Sequence, residues 1–380
     1  MDSAYYRGEH ARFHPRDEDR GRADFLHGFF VEGLAPPRPI LDREASVVAF
    51  GSCFASHITR YLVALGFNVA AKKFKGSYVN TMGDGMVNTH AIRQQFEWAW
   101  LGRQPKVELW RGYDGAILGY TRQVRQDTRA MFDSADVFII TLGLSEVWYD
   151  EPTGEVFWRA VPREHLDPSR HKFRTVGFGE NLENIRTIHR LIREHRPQAA
   201  IIFTLSPIPL VATFRPIPCT VADSASKSVL RAALDEFFQA AQPGDDNLFY
   251  FPSYEIALQA FEHPFRGDRR HVHRHVLDLN MAVFERYFCD TGLTDEQLAR
   301  QYRYALRMDR RVMLRGSKSV PLKGGPERAV RWRTASTPLA RLRLEAGQLA
   351  ADAAGLADGL LKGARTLVGR SQRGDGPEQA

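Results

Sequence analysis

Four short runs of this chain are almost wholly apolar and rich in β-branched or aromatic residues: Val47 to Phe50 (VVAF), Asp136 to Thr141 (DVFIIT), Ala199 to Leu205 (AAIIFTL) and Leu248 to Phe251 (LFYF). A strand with one wet face alternates apolar and polar residues, so an unbroken apolar run means burial on both faces. Between the runs the apolar period lengthens toward that of a helix. SHITRYLVALGF follows the first run, Asn181 to Arg193 puts Leu182, Ile185, Ile188 and Ile192 on one stripe, and Ser226 to Ala241 and Val276 to Phe288 read as two more helices. Alternation of this kind predicts an α/β fold: a three-layer α/β/α sandwich around a mainly parallel sheet.

The pattern fills residues 30–290, which we read as one domain. A polar arm, residues 1–29, precedes it and holds no apolar stretch of the kind a signal peptide needs. Two stretches, at about 68 to 90 and 148 to 179, break the pattern and read as long functional loops or insertions. Beyond residue 290 the strand signals stop. Residues 291–335 read as a basic arm or linker, Arg-rich with Pro and Gly over 303–333, and residues 336–380 as a weak amphipathic helix and polar tail. The heptad there (Leu339, Leu342, Ala346, Leu349, Ala353, Leu356, Leu360, Leu367) is interrupted by Gly347, Gly355, Gly359 and Gly363, each costing about 1 kcal/mol of helix propensity.

Charge is distributed unevenly. Of the formal net charge of +7, residues 301–345 contribute twelve Lys/Arg against three Asp/Glu, so the first 300 residues are close to neutral. The basic character belongs to the tail, which suits contact with an anionic surface or a partner helix; it is no argument for specific nucleic-acid binding by the body. Three widely spaced cysteines, Cys53, Cys219 and Cys289, form no disulfide framework and favour a reducing compartment, hence the expectation of a cytoplasmic protein.

The sharpest chemical feature is the end of the first run, Phe50-Gly51-Ser52-Cys53, which leads straight into a helix. Carboxyl ends of parallel strands form the ligand-binding edge of such sheets. A hydroxyl there, at the positive end of a helix, is placed as a nucleophile; it is equally a favoured helix N-cap. Cys53 is the rival nucleophile. A serine needs a base held by a carboxylate, and Asp268-Arg269-Arg270-His271 supplies one three residues before a histidine. His271, His273 and His275 alternate, so on an extended strand they would share a face and raise a metal site as an alternative; no carboxylate or thiolate stands at ligand spacing, and we expect no metal or organic cofactor. After the second run, Gly143-Leu144-Ser145-Glu146 reaches the same edge: Ser145 as an oxyanion donor, Gly143 and Glu146 as support. Gly85 offers a backbone N–H from a glycine-punctuated loop, with Asn88 beside it as an N-cap or support.

With these residues in place, the chain resembles the GSCFA family, whose naming pentapeptide stands here as Gly51-Ser52-Cys53-Phe54-Ala55. The blocks LGLSEVW, Ser206-Pro207-Ile208-Pro209, Ser226-Lys227 opening a helix, Phe251-Pro252-Ser253-Tyr254-Glu255 and Asp268-x-x-His271 follow in order. The resemblance covers roughly residues 30 to 290 and implies a place among the SGNH (GDSL-like) hydrolases. It implies Ser52 as nucleophile, His271 as base and Asp268 as its orienting acid, with Ser52, Gly85 (or Gly83) and Ser145 at the oxyanion hole. Where many SGNH enzymes have Gly-x-Asn-Asp, this chain has Gly143-Leu144-Ser145-Glu146, and Val272 follows the triad histidine. The implied activity is a serine esterase or O-acyltransferase acting on an ester-linked acyl group, an acetyl on a carbohydrate by analogy with the superfamily. The alternative is a non-catalytic binding protein that uses this scaffold and a basic tail to meet an anionic polymer or membrane surface.

Overall fold

The computed structural model describes residues 12–317, except residue 75, residues 82–84 and residues 111–114. The heptad and most of the arginine-rich tail, from residue 318 onward, lie outside the described residues. In chain order the elements are β1 (Val47–Phe50), α1 (Cys53–Ala64), α2 (Tyr78–Thr81), α3 (Thr89–Phe96), β2 (Leu109–Trp110), β3 (Ile117–Leu118), α4 (Arg122–Asp133) and β4 (Val137–Leu142). There follow β5 (Glu146–Asp150), β6 (His171–Thr175), α5 (Phe178–His195), β7 (Ala200–Leu205), α6 (Cys219–Ala241), β8 (Leu248–Phe251), α7 (Ser253–Gln259), α8 (Arg274–Phe288) and α9 (Asp295–Arg315).

The four apolar runs are the four strands of one parallel sheet, ordered β1, β4, β7, β8. Val47 lies beside Val137, Val137 beside Ala200, and Ile201 beside Leu248. Successive side chains of a strand point to opposite faces, so each run feeds two cores. Val47, Ala49, Val137, Ile139, Ala200, Ile202, Phe249 and Phe251 join one cluster with α1, α7, α8 and α9. Val48, Phe50, Phe138, Ile140, Ile201, Phe203, Leu248 and Tyr250 join another with α3, α4, α5 and α6. Each face thus buries a continuous apolar layer, at about 1.5 to 3 kcal/mol for a fully buried large side chain. The three-layer α/β architecture expected from the sequence is the one observed.

Several local expectations give way. The stretch 148–179 contains the strand β6, paired antiparallel with β5 so that Trp148 faces Phe173 and Asp150 faces His171; its alternation is masked in sequence because β6 (HKFRT) is polar. The stretch 68–90 carries short helical turns at Ala70–Lys72 and Tyr78–Thr81. Helix α6 starts seven residues before Ser226, directly after Pro218, since its first two turns lie largely in solvent and carry no apolar stripe. The reading of residues 303 onward as an extended arm fails as far as Arg315. A Thr294/Gln297 capping box opens α9, and Leu298, Tyr302 and Ala305 pack into the α1/α8 core. The polar arm is likewise anchored, with Phe25 and Leu26 buried in that core. Among the described residues no helix is long and apolar enough to cross a membrane.

Candidate functional site

Gly51 makes the strand-to-helix turn possible. Its φ is +130°, and a Cβ there would collide with the Thr141 carbonyl oxygen of the neighbouring strand. Only glycine combines that backbone angle with that approach. Ser52 follows as the N-cap of α1: its Oγ accepts the Phe54 N–H at 3.1 Å, and the residue is only 7% exposed. The cap role and a nucleophilic role use the same placement, at the carboxyl end of β1 and the positive end of the helix. The side chain of Cys53 lies outside the described residues.

Asp268 and His271 meet. His271 Nδ1 and Asp268 Oδ2 are 2.6 Å apart, and Asp268 Oδ1 accepts the backbone N–H groups of Arg270 and His271, each at 3.0 Å. The His271 bond, followed by the Arg270 N–H, holds this carboxyl well below the usual carboxylate range. An imidazole bonded through Nδ1 keeps Nε2 for chemistry. The turn is tight: Arg266 N–H donates to the His271 carbonyl at 2.8 Å, Phe265 bridges Val272, and Arg269 is the described non-glycine residue with positive φ, at 55°.

Three observations bring this turn to the Ser52 end of the sheet. Helix α8, which the turn introduces, ends where the Phe288 carbonyl receives the N–H groups of Ile40 and Leu41, upstream of β1; its first turn therefore lies at the opposite, carboxyl end. Phe54 and Ile58 of α1 share a core with Val272 and Val276. His57, five residues after Ser52, is held down to about 4 by burial and then by the positive charges of Arg60, Arg274 and Arg266. Among the described residues no hydrogen bond joins Ser52 Oγ to His271; in this state Ser52 Oγ serves as the helix cap.

The remaining site residues form a knitted backbone edge. Gly85, at φ +132°, points its N–H toward the Gly51 carbonyl at 3.5 Å, and a Cβ on it would meet the Arg159 guanidinium at 2.9 Å. Gly83 lies outside the described residues. Asn88 caps α3, its side chain accepting the Ala91 N–H at 2.8 Å. Gly143 donates to the Val87 carbonyl at 2.8 Å, and a Cβ there would press on Val87 Cβ at 2.8 Å. Ser145 is buried, with its N–H and hydroxyl both donating to Ser226 Oγ, at 2.7 and 3.2 Å. Burial pushes the Glu146 carboxyl up, although the Thr213 hydroxyl donates to it at 3.0 Å.

Lys227 is the functional residue the chemical reading passed over. It stood only as the second half of a block expected to open a helix, yet Ser226-Lys227 lies well inside α6. Lys227 is 3% exposed, and its Nζ donates to the carbonyls of Gly143 at 2.6 Å, Ser206 at 2.8 Å and Ile208 at 2.8 Å. An ammonium survives burial only with such partners, and here it ties the end of β4 to the end of β7. The sequence signal was a lysine between Ser226 and Leu230, on the inward stripe of a helix.

The three alternating histidines do not share a face. His271 is exposed, whereas His273, the residue before α8, and His275 are buried and stacked with ring centroids 5.4 Å apart. His275 Nε2 lies 3.7 Å from Asp309 of α9, and His273 Nε2 lies 3.1 Å from Ser317 Oγ. Helix formation from Arg274 onward replaces the extended backbone that the shared face required.

A search of curated proteins finds no match to the chain. The model of the GSCFA family matches residues 46–284, a stretch of more than half the chain that runs from β1 past the Asp268–His271 turn; the chain belongs to the GSCFA family.

Proposed function

We propose that the protein is an SGNH-type serine hydrolase or acyltransferase acting on an ester-linked acyl group, with an acetylated carbohydrate as the substrate class. The observation that carries this reading is the 2.6 Å contact of Asp268 with His271 Nδ1, on a turn at the same end of the sheet as the Ser52 helix N-terminus. In this mechanism His271 Nε2 takes the Ser52 hydroxyl proton as Oγ attacks the acyl carbonyl. The N–H of Ser52 holds the resulting oxyanion together with that of Gly85, which would leave its 3.5 Å contact with the Gly51 carbonyl. The Ser145 hydroxyl would join them by rotating away from Ser226, which keeps the Ser145 N–H. His271 then protonates the leaving alcohol, and water or a sugar hydroxyl, deprotonated by the same imidazole, releases the acyl group. Ser52 would leave its cap bond with Phe54 on the way, a loss of about 1 kcal/mol. In the proposed setting the protein works in the cytoplasm without metal or organic cofactor, and the basic tail meets an anionic surface.

Labelling with a fluorophosphonate, which reacts with activated serines, tests the reading. Wild-type protein should be labelled at Ser52, Ser52→Ala should lose both labelling and hydrolysis of an activated acetyl ester, and Cys53→Ala should keep most of both. The reverse pattern, with Cys53 essential and Ser52 dispensable, overturns the serine mechanism. Absence of labelling in a folded protein favours the non-catalytic scaffold.

A further inference from the structure

The turn that carries His271 is crowded with guanidinium groups. Arg266, Arg269 and Arg270 stand on the six-residue hairpin from 266 to 271, closed by the Arg266 N–H to His271 carbonyl bond. Arg60 comes from α1, two turns beyond Ser52, where its Nε donates to the Ser56 carbonyl at 3.3 Å, and its charge, like those of Arg266 and Arg274, acts on His57 of the same helix. The acids of the neighbourhood are already engaged. Asp268 serves His271 and the turn backbone, Asp278 pairs with Arg274 at 2.7 Å, Glu262 pairs with Arg20 at 2.9 Å, and Asp309 accepts the Glu262 and His263 N–H groups. Among the described residues none of Arg60, Arg266, Arg269 and Arg270 enters an ion pair. The Nε atoms of Arg266 and Arg270 are buried without a hydrogen-bond partner. On the far side of the site, the Arg159 guanidinium lies against Gly85.

Like charges gathered around a neutral-substrate site would only repel one another, and a cleft walled by one sign of charge concentrates ligands of the other. We infer that the substrate of this site carries an anionic group, a carboxylate or a phosphate, close to its acyl ester, held by Arg60, Arg266, Arg269 and Arg270. This deepens the serine-hydrolase reading and rests on it. Guanidinium forks bind both oxyanions bidentately, so geometry selects the charge and the substrates tested must separate the two sources.

The experiment compares mono-acetylated glucose, glucuronate and glucose phosphate as substrates of the full chain. At low salt one or both anionic esters should exceed the neutral one in kcat/KM by about tenfold or more, and the advantage should shrink as salt screens the rim. Arg60→Gln combined with Arg269→Gln should lower the anionic-to-neutral ratio by about tenfold. Preference for glucuronate or for glucose phosphate names the source; equal or lower kcat/KM for both anionic esters, or a preference indifferent to salt, overturns the inference. Should the double variant fail to fold, the salt dependence of the wild type decides alone. Should fluorophosphonate leave Ser52 unlabelled, calorimetric binding of glucuronate and glucose phosphate to the wild-type chain decides: salt-sensitive binding sustains the anionic site without catalysis, and no binding overturns it.

Discussion

The segment that carries Ser52 and the segment that carries His271 lie at the same end of the sheet but are held on different physical terms. Ser52 stands on a buried turn at the end of β1, the outer strand of the sheet. Its turn is pinned by Gly51 against Thr141, its neighbours Gly85 and Gly143 are joined through backbone bonds, and the Lys227 ammonium grips three carbonyls behind them. The Asp268–His271 pair stands on an exposed hairpin, with both side chains about half accessible, and depends on one short side-chain contact and two backbone N–H groups. Buried charges and close backbone approaches are costly to disturb, whereas an exposed pair contributes little to stability however well aligned it is. One half of the site is therefore part of the fold, and the other is arranged upon it.

The comparison breaks most visibly at Gly51. Gly51→Ala should destabilise the chain by more than about 3 kcal/mol, or prevent folding, because the new methyl meets a strand carbonyl at a backbone angle that L-residues avoid; urea unfolding measures it, and a loss below about 1 kcal/mol would show that the turn relaxes.

Lys227→Met comes next. It leaves the carbonyls of Gly143, Ser206 and Ile208 without their donor, and should cost about 2 to 4 kcal/mol in the same unfolding experiment, with the hydrolysis rate falling as the Gly143–Ser145 edge loosens. An unchanged midpoint would make the lysine a passenger.

The smallest effect on stability belongs to Asp268→Asn. It should change unfolding free energy by less than about 1 kcal/mol, since the pair is exposed and screened, while slowing ester hydrolysis by about ten-thousandfold through loss of the imidazole's orientation. The sign of its pH dependence follows from the depressed carboxyl. Folding lowers the Asp268 value below that of the unfolded chain, so its contribution is present above the unfolded carboxylate range and is lost as pH falls through that range toward the folded value. The stability gap between wild type and Asp268→Asn should thus close as pH drops below about 4. A gap that widens in acid reverses the assignment.

Parts of this site were legible residue by residue. Gly51, Ser52 and the Asp268–His271 spacing announce themselves because their chemistry is local: a turn, a cap, a carboxylate three residues from an imidazole. Ser145 was legible as a polar residue at a strand end, but its partner, Ser226, lies 81 residues away on another element. Lys227 was legible as a letter in a block and illegible as a clamp, since its three acceptors come from the ends of two strands. The arginines of the proposed anion site were hidden for the same reason, with Arg60 and Arg269 separated by most of the domain in sequence.

The sequence by itself determined the layers and the four strands of the central sheet, because unbroken apolar runs and helical stripes are properties of neighbouring residues and the cost of wetting them is paid wherever they fall. It also determined the turn at Gly51 and the pairing of Asp268 with His271, within reach of one another along the chain. The tertiary structure alone decided that α9 joins the core, that His273 and His275 turn inward, that Lys227 closes the edge behind Gly143, and that the charges of Arg60 and Arg266 both act on His57. Those outcomes depend on which distant groups meet once the sheet has formed, and a contact between residues far apart in sequence leaves no periodic mark on either of them.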